Sequence, residues 1–137
     1  MPVEVTLTWL GDLRFEGGRT GGPAIRLDGA GADGPSPMEA LLLALAGCTA
    51  ADVVEIGRKM REPWEGASFR VQVEGERAPE PPRRYTRIRL AYRVSGAGLD
   101  RAKLERAIAL SHEKYCSVLH SLRPDLVVES RLETDGA

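Results

Sequence analysis

The chain carries two cysteines and two histidines, and what it can do chemically turns on them. Cys48 lies in Ala-Leu-Ala-Gly-Cys-Thr-Ala-Ala-Asp, and Cys116 in Ser-His-Glu-Lys-Tyr-Cys-Ser-Val-Leu-His-Ser-Leu. Two cysteines in a reducing compartment do not form a permanent structural disulfide, so the pair reads either as core residues or as redox or metal chemistry. Burial is the plain reading of Cys48, because free cysteine is among the most buried residue types. The reactive reading needs a cation. An apolar pocket raises a thiol's pKa and leaves it inert, and Asp52, one helical turn away, opposes a thiolate. A guanidinium from another segment answers that need better than a lysine, since it stays charged and pairs with thiolate and carboxylate together. Around Cys116, His112 stands at i−4 and His120 at i+4, so a continuous helix puts all three on one face. That spacing permits a zinc site with Cys48 as a fourth ligand, although no Cys-x-x-Cys or His-Glu-x-x-His frame accompanies it. Each histidine alone reads as a surface or satisfied core residue, able also to help hold Cys116 as thiolate.

The elements that must position these residues follow from periodicity. Val3, Val5, Leu7 and Trp9 alternate with Glu4, Thr6 and Thr8, the pattern of a half-buried strand ending at Gly11-Asp12. Leu13 to Glu16 and Pro23 to Asp28 read as two further strands, divided by the Gly17-Gly18 and Gly21-Gly22 pairs, which predicts a three-stranded antiparallel start. Gly29 to Gly34 has little side-chain surface to pack and reads as a mobile loop. Ser36-Pro37-Met38-Glu39 is a helix start: Ser36 caps, Pro37 suits the first turn and Glu39 completes a capping box. The helix is expected to run to about Arg61. Its stretch from Ala40 to Ile56 is apolar around nearly the whole circumference, which predicts a buried helix that one small chain has difficulty covering, and hence a homodimer. Gly47, next to Cys48, costs that helix about 1 kcal/mol against alanine, so something is expected to approach closely there.

Ser68 to Arg77 and Tyr85 to Ser95 alternate again and read as a hairpin, joined by the proline-rich loop from Ala78 to Arg84. Leu99 to about Leu122 is helical by period, with a break near Ser111, and Leu126 to Glu133 closes with a strand. The order β-β-β-α-β-β-α-β implies one α+β domain over residues 1–137, helices lying against an antiparallel sheet.

Composition removes several classes of function. Nineteen basic against twenty acidic residues, interspersed, leave no excess to neutralise phosphates, which speaks against nucleic acid as a partner. The start shows no secretory signal, so the expected location is the cytoplasm. The apolar stretch from Ala40 to Ala51 is shorter than the roughly 20 residues a bilayer span needs, so no membrane is expected.

Residues 36–54, Ser-Pro-Met-Glu-Ala-Leu-Leu-Leu-Ala-Leu-Ala-Gly-Cys-Thr-Ala-Ala-Asp-Val-Val, and 114–118, Lys-Tyr-Cys-Ser-Val, resemble the two cysteine motifs of the OsmC/Ohr family. That family comprises osmotically inducible proteins and organic hydroperoxide reductases. The resemblance extends over nearly the whole chain and is nearest to the OsmC-like subgroup often called YhfA-like. It implies an intertwined homodimer, with long central helices buried between antiparallel sheets. It also implies a thiol-dependent peroxidase without a bound cofactor or metal. Cys48 would attack the O–O bond of an organic hydroperoxide, or hydrogen peroxide, and become a sulfenic acid. Cys116 would then resolve it as a disulfide, and an external dithiol would restore the pair. In the better-studied branches a glutamate directly follows the proline, whereas Met38 stands there and Glu39 comes next. Nine residues before Cys48, Glu39 points away from that cysteine on its own helix, so its first role is the cap, and it is a catalytic candidate for the neighbouring subunit's site. The activating arginine falls at Arg26, as in OsmC-type members, or at Arg14, as in Ohr-type ones. The alternatives to a peroxidase are a non-enzymatic binder of an apolar small molecule and the zinc site of Cys48, Cys116, His112 and His120.

Overall fold

In the computed structural model, which describes residues 2–135, the alternating N-terminal segments become β1 (Thr6–Gly11), β2 (Arg14–Gly18) and β3 (Ile25–Asp28). They form an antiparallel sheet in the order β1-β2-β3, with Trp9 opposite Phe15 and Phe15 opposite Leu27. Strand β2 continues past Glu16 to Gly18, and β3 begins only after Pro23, which has no N–H for a ladder. The turn between β1 and β2 takes Gly11 and Asp12 to φ of +112° and +49°, a region open to glycine and tolerated by aspartate.

The glycine-rich segment after β3 is wound around one carboxylate rather than lying loose. Asp28, which is buried, accepts the N–H of Ala30 at 2.9 Å and that of Asp33 at 2.9 Å. These backbone donors, Asp33 first and then Ala30, hold the Asp28 carboxyl below the usual aspartate range. A carboxyl whose folded pKa is depressed contributes stability that is present above its unfolded pKa and lost as pH falls through the folded value. Asp28→Asn should therefore lower stability at neutral pH and flatten the acid limb of the stability curve below about pH 4, measured by urea melts across pH.

The described contacts divide the chain into two compact units, Met1–Leu41 and Leu42–Ala137, the boundary falling inside α1 (Pro37–Lys59). The capping box at its start forms as read: Glu39 N–H donates to Ser36 Oγ at 3.2 Å, and Ser36 N–H to Glu39 Oε1 at 2.8 Å. The helix stops at Lys59, short of Arg61. Arg61 takes φ of +66° and Glu62 N–H closes back on Gly57 O at 2.8 Å, a left-handed stop made without glycine.

Within the second unit, β4 (Ser68–Arg77) and β5 (Tyr85–Ser95) pair antiparallel as the expected hairpin. Arg101–Leu110 forms α2, capped by Asp100, whose Oδ1 accepts from Ala102 N at 2.9 Å. Strand β6 (Val127–Thr134) then returns to β5 in parallel, where an antiparallel sheet was expected. The reason is the crossover: strands joined through helices, not a hairpin, can run in the same direction. The core gathers Leu45 and Val53 of α1 with Ile88, Leu90 and Tyr92 of β5 and Leu104 and Ala107 of α2.

Helix α1 is less covered than its composition suggests. The buried positions, Leu45, Ala46, Thr49, Val53 and Gly57, form one stripe at helical spacing, while Leu43 is 61% exposed. At 23 residues α1 extends beyond the apolar stretch of residues 40–51 and is long and apolar enough to cross a bilayer by length and composition alone, a test that core helices also pass. Nor does another element of this chain approach closely at Gly47, where a Cβ meets none of its atoms within 4 Å; at Gly57 it would meet Trp64 Nε1 at 2.8 Å.

Candidate functional site

Helix α1 sets Cys48 and Asp52 one turn apart on one face, and the segment after α2 brings Cys116 to them. That segment is not a continuous helix. Residues Ser111–Tyr115 form a π-helical turn, with Cys116 N–H donating to Ser111 O at 2.9 Å, before Cys116 turns extended at φ −72° and ψ 102°. A short helix, α3 (Ser117–His120), follows, and Cys116 caps it, its Sγ accepting from Leu119 N–H at 3.3 Å. Widened turns of this kind recur at functional sites because they re-aim a side chain. Here the effect is to direct Cys116 inward, where it is fully buried while Cys48 is half-buried.

The sulfur atoms of Cys48 and Cys116 and a carboxylate oxygen of Asp52 all lie within 4.8 Å of one another. Both cysteines are free thiols. Burial pushes the Cys116 thiol up to about 11; the Leu119 N–H opposes that rise, and contact with Cys48 and the charge of Asp52 add to it. Asp52 is in turn fixed by Ser111, whose Oγ donates to Asp52 Oδ2 at 2.8 Å. Beneath the pair lies Tyr92, fully buried, its hydroxyl 2.9 Å from His112 Nε2. Burial, with the nearby Cys116 and Asp52, pushes Tyr92 up to about 12 against a lowering bond from Thr49. Burial also lowers the His112 pKa, and its Nε2 shares that hydrogen bond with the Tyr92 hydroxyl.

These contacts redistribute the sequence candidates. Cys48 and Cys116 come together. The four-ligand zinc site of Cys48, Cys116, His112 and His120 does not form: His112 is engaged by Tyr92, and His120 Nε2 lies 3.1 Å from the His112 carbonyl oxygen. The physical reason is the broken helix, which removes the common face that the i−4 and i+4 spacing presupposed. Arg14 and Arg26, in the first unit, converge on one group: their Nη1 atoms lie 3.8 and 3.4 Å from Asp33 Oδ2. The Glu39 carboxylate serves the capping box. Two site residues escaped the sequence reading. Ser111 showed only as a break in helical period, and Tyr92 only as an apolar position of a strand; neither carries a signal for the polar contact it makes.

The family described as OsmC-like protein matches residues 29–131. Protein YhfA of Escherichia coli (strain K12) is 41% identical over 117 residues, covering 85% of this chain and 86% of that protein. Among solved structures, a hypothetical protein from Aquifex aeolicus VF5 superposes with a TM-score of 0.81 at 29% identity, over 98% of this chain and 99% of that one. The organic hydroperoxide resistance protein OhrB of Bacillus subtilis superposes with a TM-score of 0.62 at 18% identity, over 97% and 98% of the two chains, a likeness of fold.

Proposed function

Since the chain belongs to the OsmC family, we propose that it is a thiol-dependent peroxidase that reduces organic hydroperoxides, and hydrogen peroxide as a smaller substrate, through a cycle between Cys48 and Cys116. One observation carries the reading: two free thiols, far apart in sequence, meet with their donor atoms within 4.8 Å. In the first step the Cys48 thiolate attacks the distal oxygen of the peroxide. The O–O bond breaks, the alkoxide leaves and takes a proton as the alcohol, and Cys48 becomes a sulfenic acid. In the second step Cys116 displaces water from that sulfenic acid, giving the disulfide. An external dithiol then reduces the disulfide by exchange and is itself oxidised. The difference in burial supports these roles, because a peroxide reaches half-buried Cys48 more readily than buried Cys116. Arg26 or Arg14 is the proposed source of the positive charge that holds Cys48 as thiolate. A reducing compartment such as the cytoplasm suits a site that must return to two thiols.

The working form proposed is a homodimer. Trp9, 65% exposed, with Val5, Leu7 and Ile25 in the first unit, and separately Leu43, 61% exposed on α1, are large apolar side chains that a second copy would cover. An obligate interface well over about 2,000 Å² in total is expected. Light scattering at micromolar concentration should give twice the chain mass; a monomer there would remove the dimer from the account. The catalytic test is consumption of an organic hydroperoxide with dithiothreitol or dihydrolipoamide as reductant, which requires Cys48.

A further inference from the structure

The cluster that holds the two thiols contains a third donor that the peroxide cycle does not use, and we infer that Cys48, Cys116 and Asp52 together form a three-ligand site for a thiophilic divalent cation of the zinc and cadmium type. In a tetrahedral zinc site with Zn–S bonds of about 2.3 Å, neighbouring sulfur donors stand roughly 3.8 Å apart. The three donor atoms lie within 4.8 Å of one another, so they reach that spacing by side-chain adjustment without moving α1 or the turn that carries Cys116. Two sulfurs and one oxygen select the cation. Thiolates exclude magnesium and calcium, and the set matches the mixed sulfur and oxygen preference of zinc and the still softer cadmium. Three protein ligands leave one coordination position for water, and half-buried Cys48 and Asp52 leave a route from solvent.

Outer contacts suited to such a site are already in place. Ser111 Oγ donates to Asp52 Oδ2 at 2.8 Å and so orients the carboxylate, which keeps free lone pairs on both oxygens. Leu119 N–H donates to Cys116 Sγ at 3.3 Å, a bond that favours a bound thiolate over a thiol. Cation uptake by this set displaces the protons of the two thiols and changes no oxidation state. It also occupies both sulfurs, so the metal-loaded protein and the peroxide-reducing protein are exclusive states of one site. The inference does not depend on the peroxidase reading, because a reduced chain takes up metal whether or not it turns over peroxide.

The test uses the full-length, tag-free, reduced protein and the metal alone. Cadmium titration should give one ion per chain with a near-ultraviolet thiolate-to-cadmium charge-transfer band, and zinc should compete for the same site. Cys48→Ser should halve the band and weaken binding at least about 100-fold. Asp52→Asn should keep the band and weaken binding about 10- to 100-fold, with Asp52→Glu restoring part of it. Ser111→Ala, which leaves all three donors intact, should weaken binding by a smaller factor, and circular dichroism checks that each variant is folded. Binding that ignores Asp52→Asn and Asp52→Glu alike would overturn the three-ligand site. So would a wild-type protein that takes up less than one ion per chain, or a band that survives Cys48→Ser at full strength.

Discussion

Cys48→Ser is expected to abolish peroxide consumption, down to the rate of the free dithiol, while Cys116→Ser retains one stoichiometric turnover and then stops. The asymmetry follows from the site. Cys48 is half-buried on α1 and meets solvent, whereas Cys116 is fully buried and held as a neutral thiol by burial, with Cys48 and Asp52 beside it. A thiol in that state is poorly suited to open the reaction and well placed to close it, since the sulfenic acid forms on the neighbouring sulfur. Single-turnover kinetics with a sulfenic-acid trap read the difference directly. A Cys48→Ser variant that still reduces one equivalent of peroxide, beside a Cys116→Ser variant that does not, would reverse the roles.

The second large effect is expected at an arginine. A guanidinium beside a thiolate lowers its pKa by about 1 to 3 units, so removing it should slow peroxide reduction near neutral pH by about 10- to 1,000-fold. Arg26 and Arg14 are the candidates, and both approach Asp33 in the first unit. That shared carboxylate makes a further point testable. If Asp33 holds the effective guanidinium in position, Asp33→Asn should produce a smaller loss than the arginine variant and no loss in the Arg→Ala background. Comparing Arg26→Ala with Arg14→Ala in the pH dependence of the single-turnover rate identifies the residue: its profile moves to higher pH, and the other's does not. Two unmoved profiles would leave Cys48 activated by some other group.

The sequence carried most of the elements because each was written in a local signal. Ser36 and Glu39 cap α1 through contacts that a four-residue pattern specifies, and the alternation in β4 and β5 specifies their hairpin. What escaped was set by longer-range geometry. Nothing local tells β6 to run parallel to β5, because that depends on the path of the crossover. Nor does spacing reveal that His112 turns to Tyr92 while Cys116 turns to Cys48; a π-helical turn decides it, and period alone shows only an interruption at Ser111. Gly47 misled for a related reason. A glycine in a helix marks a cost, but not whether anything comes near, and the tight approach is at Gly57 against Trp64. Asp52 opposes a thiolate by its charge, and nothing local shows that its carboxylate meets both sulfurs, since Cys116 comes to it from a distant segment.

The central claim is that the meeting of Cys48 and Cys116 is a redox couple, and the most direct measurement is the mass and peptide map of the reduced protein after one equivalent of an organic hydroperoxide, with no reductant present. The account predicts a chain lighter by two hydrogen atoms, a Cys48–Cys116 cross-linked peptide from within one chain, and full recovery of both thiols on adding a dithiol. Unchanged mass with both cysteines still open to alkylation after denaturation, and the hydroperoxide intact, would contradict it.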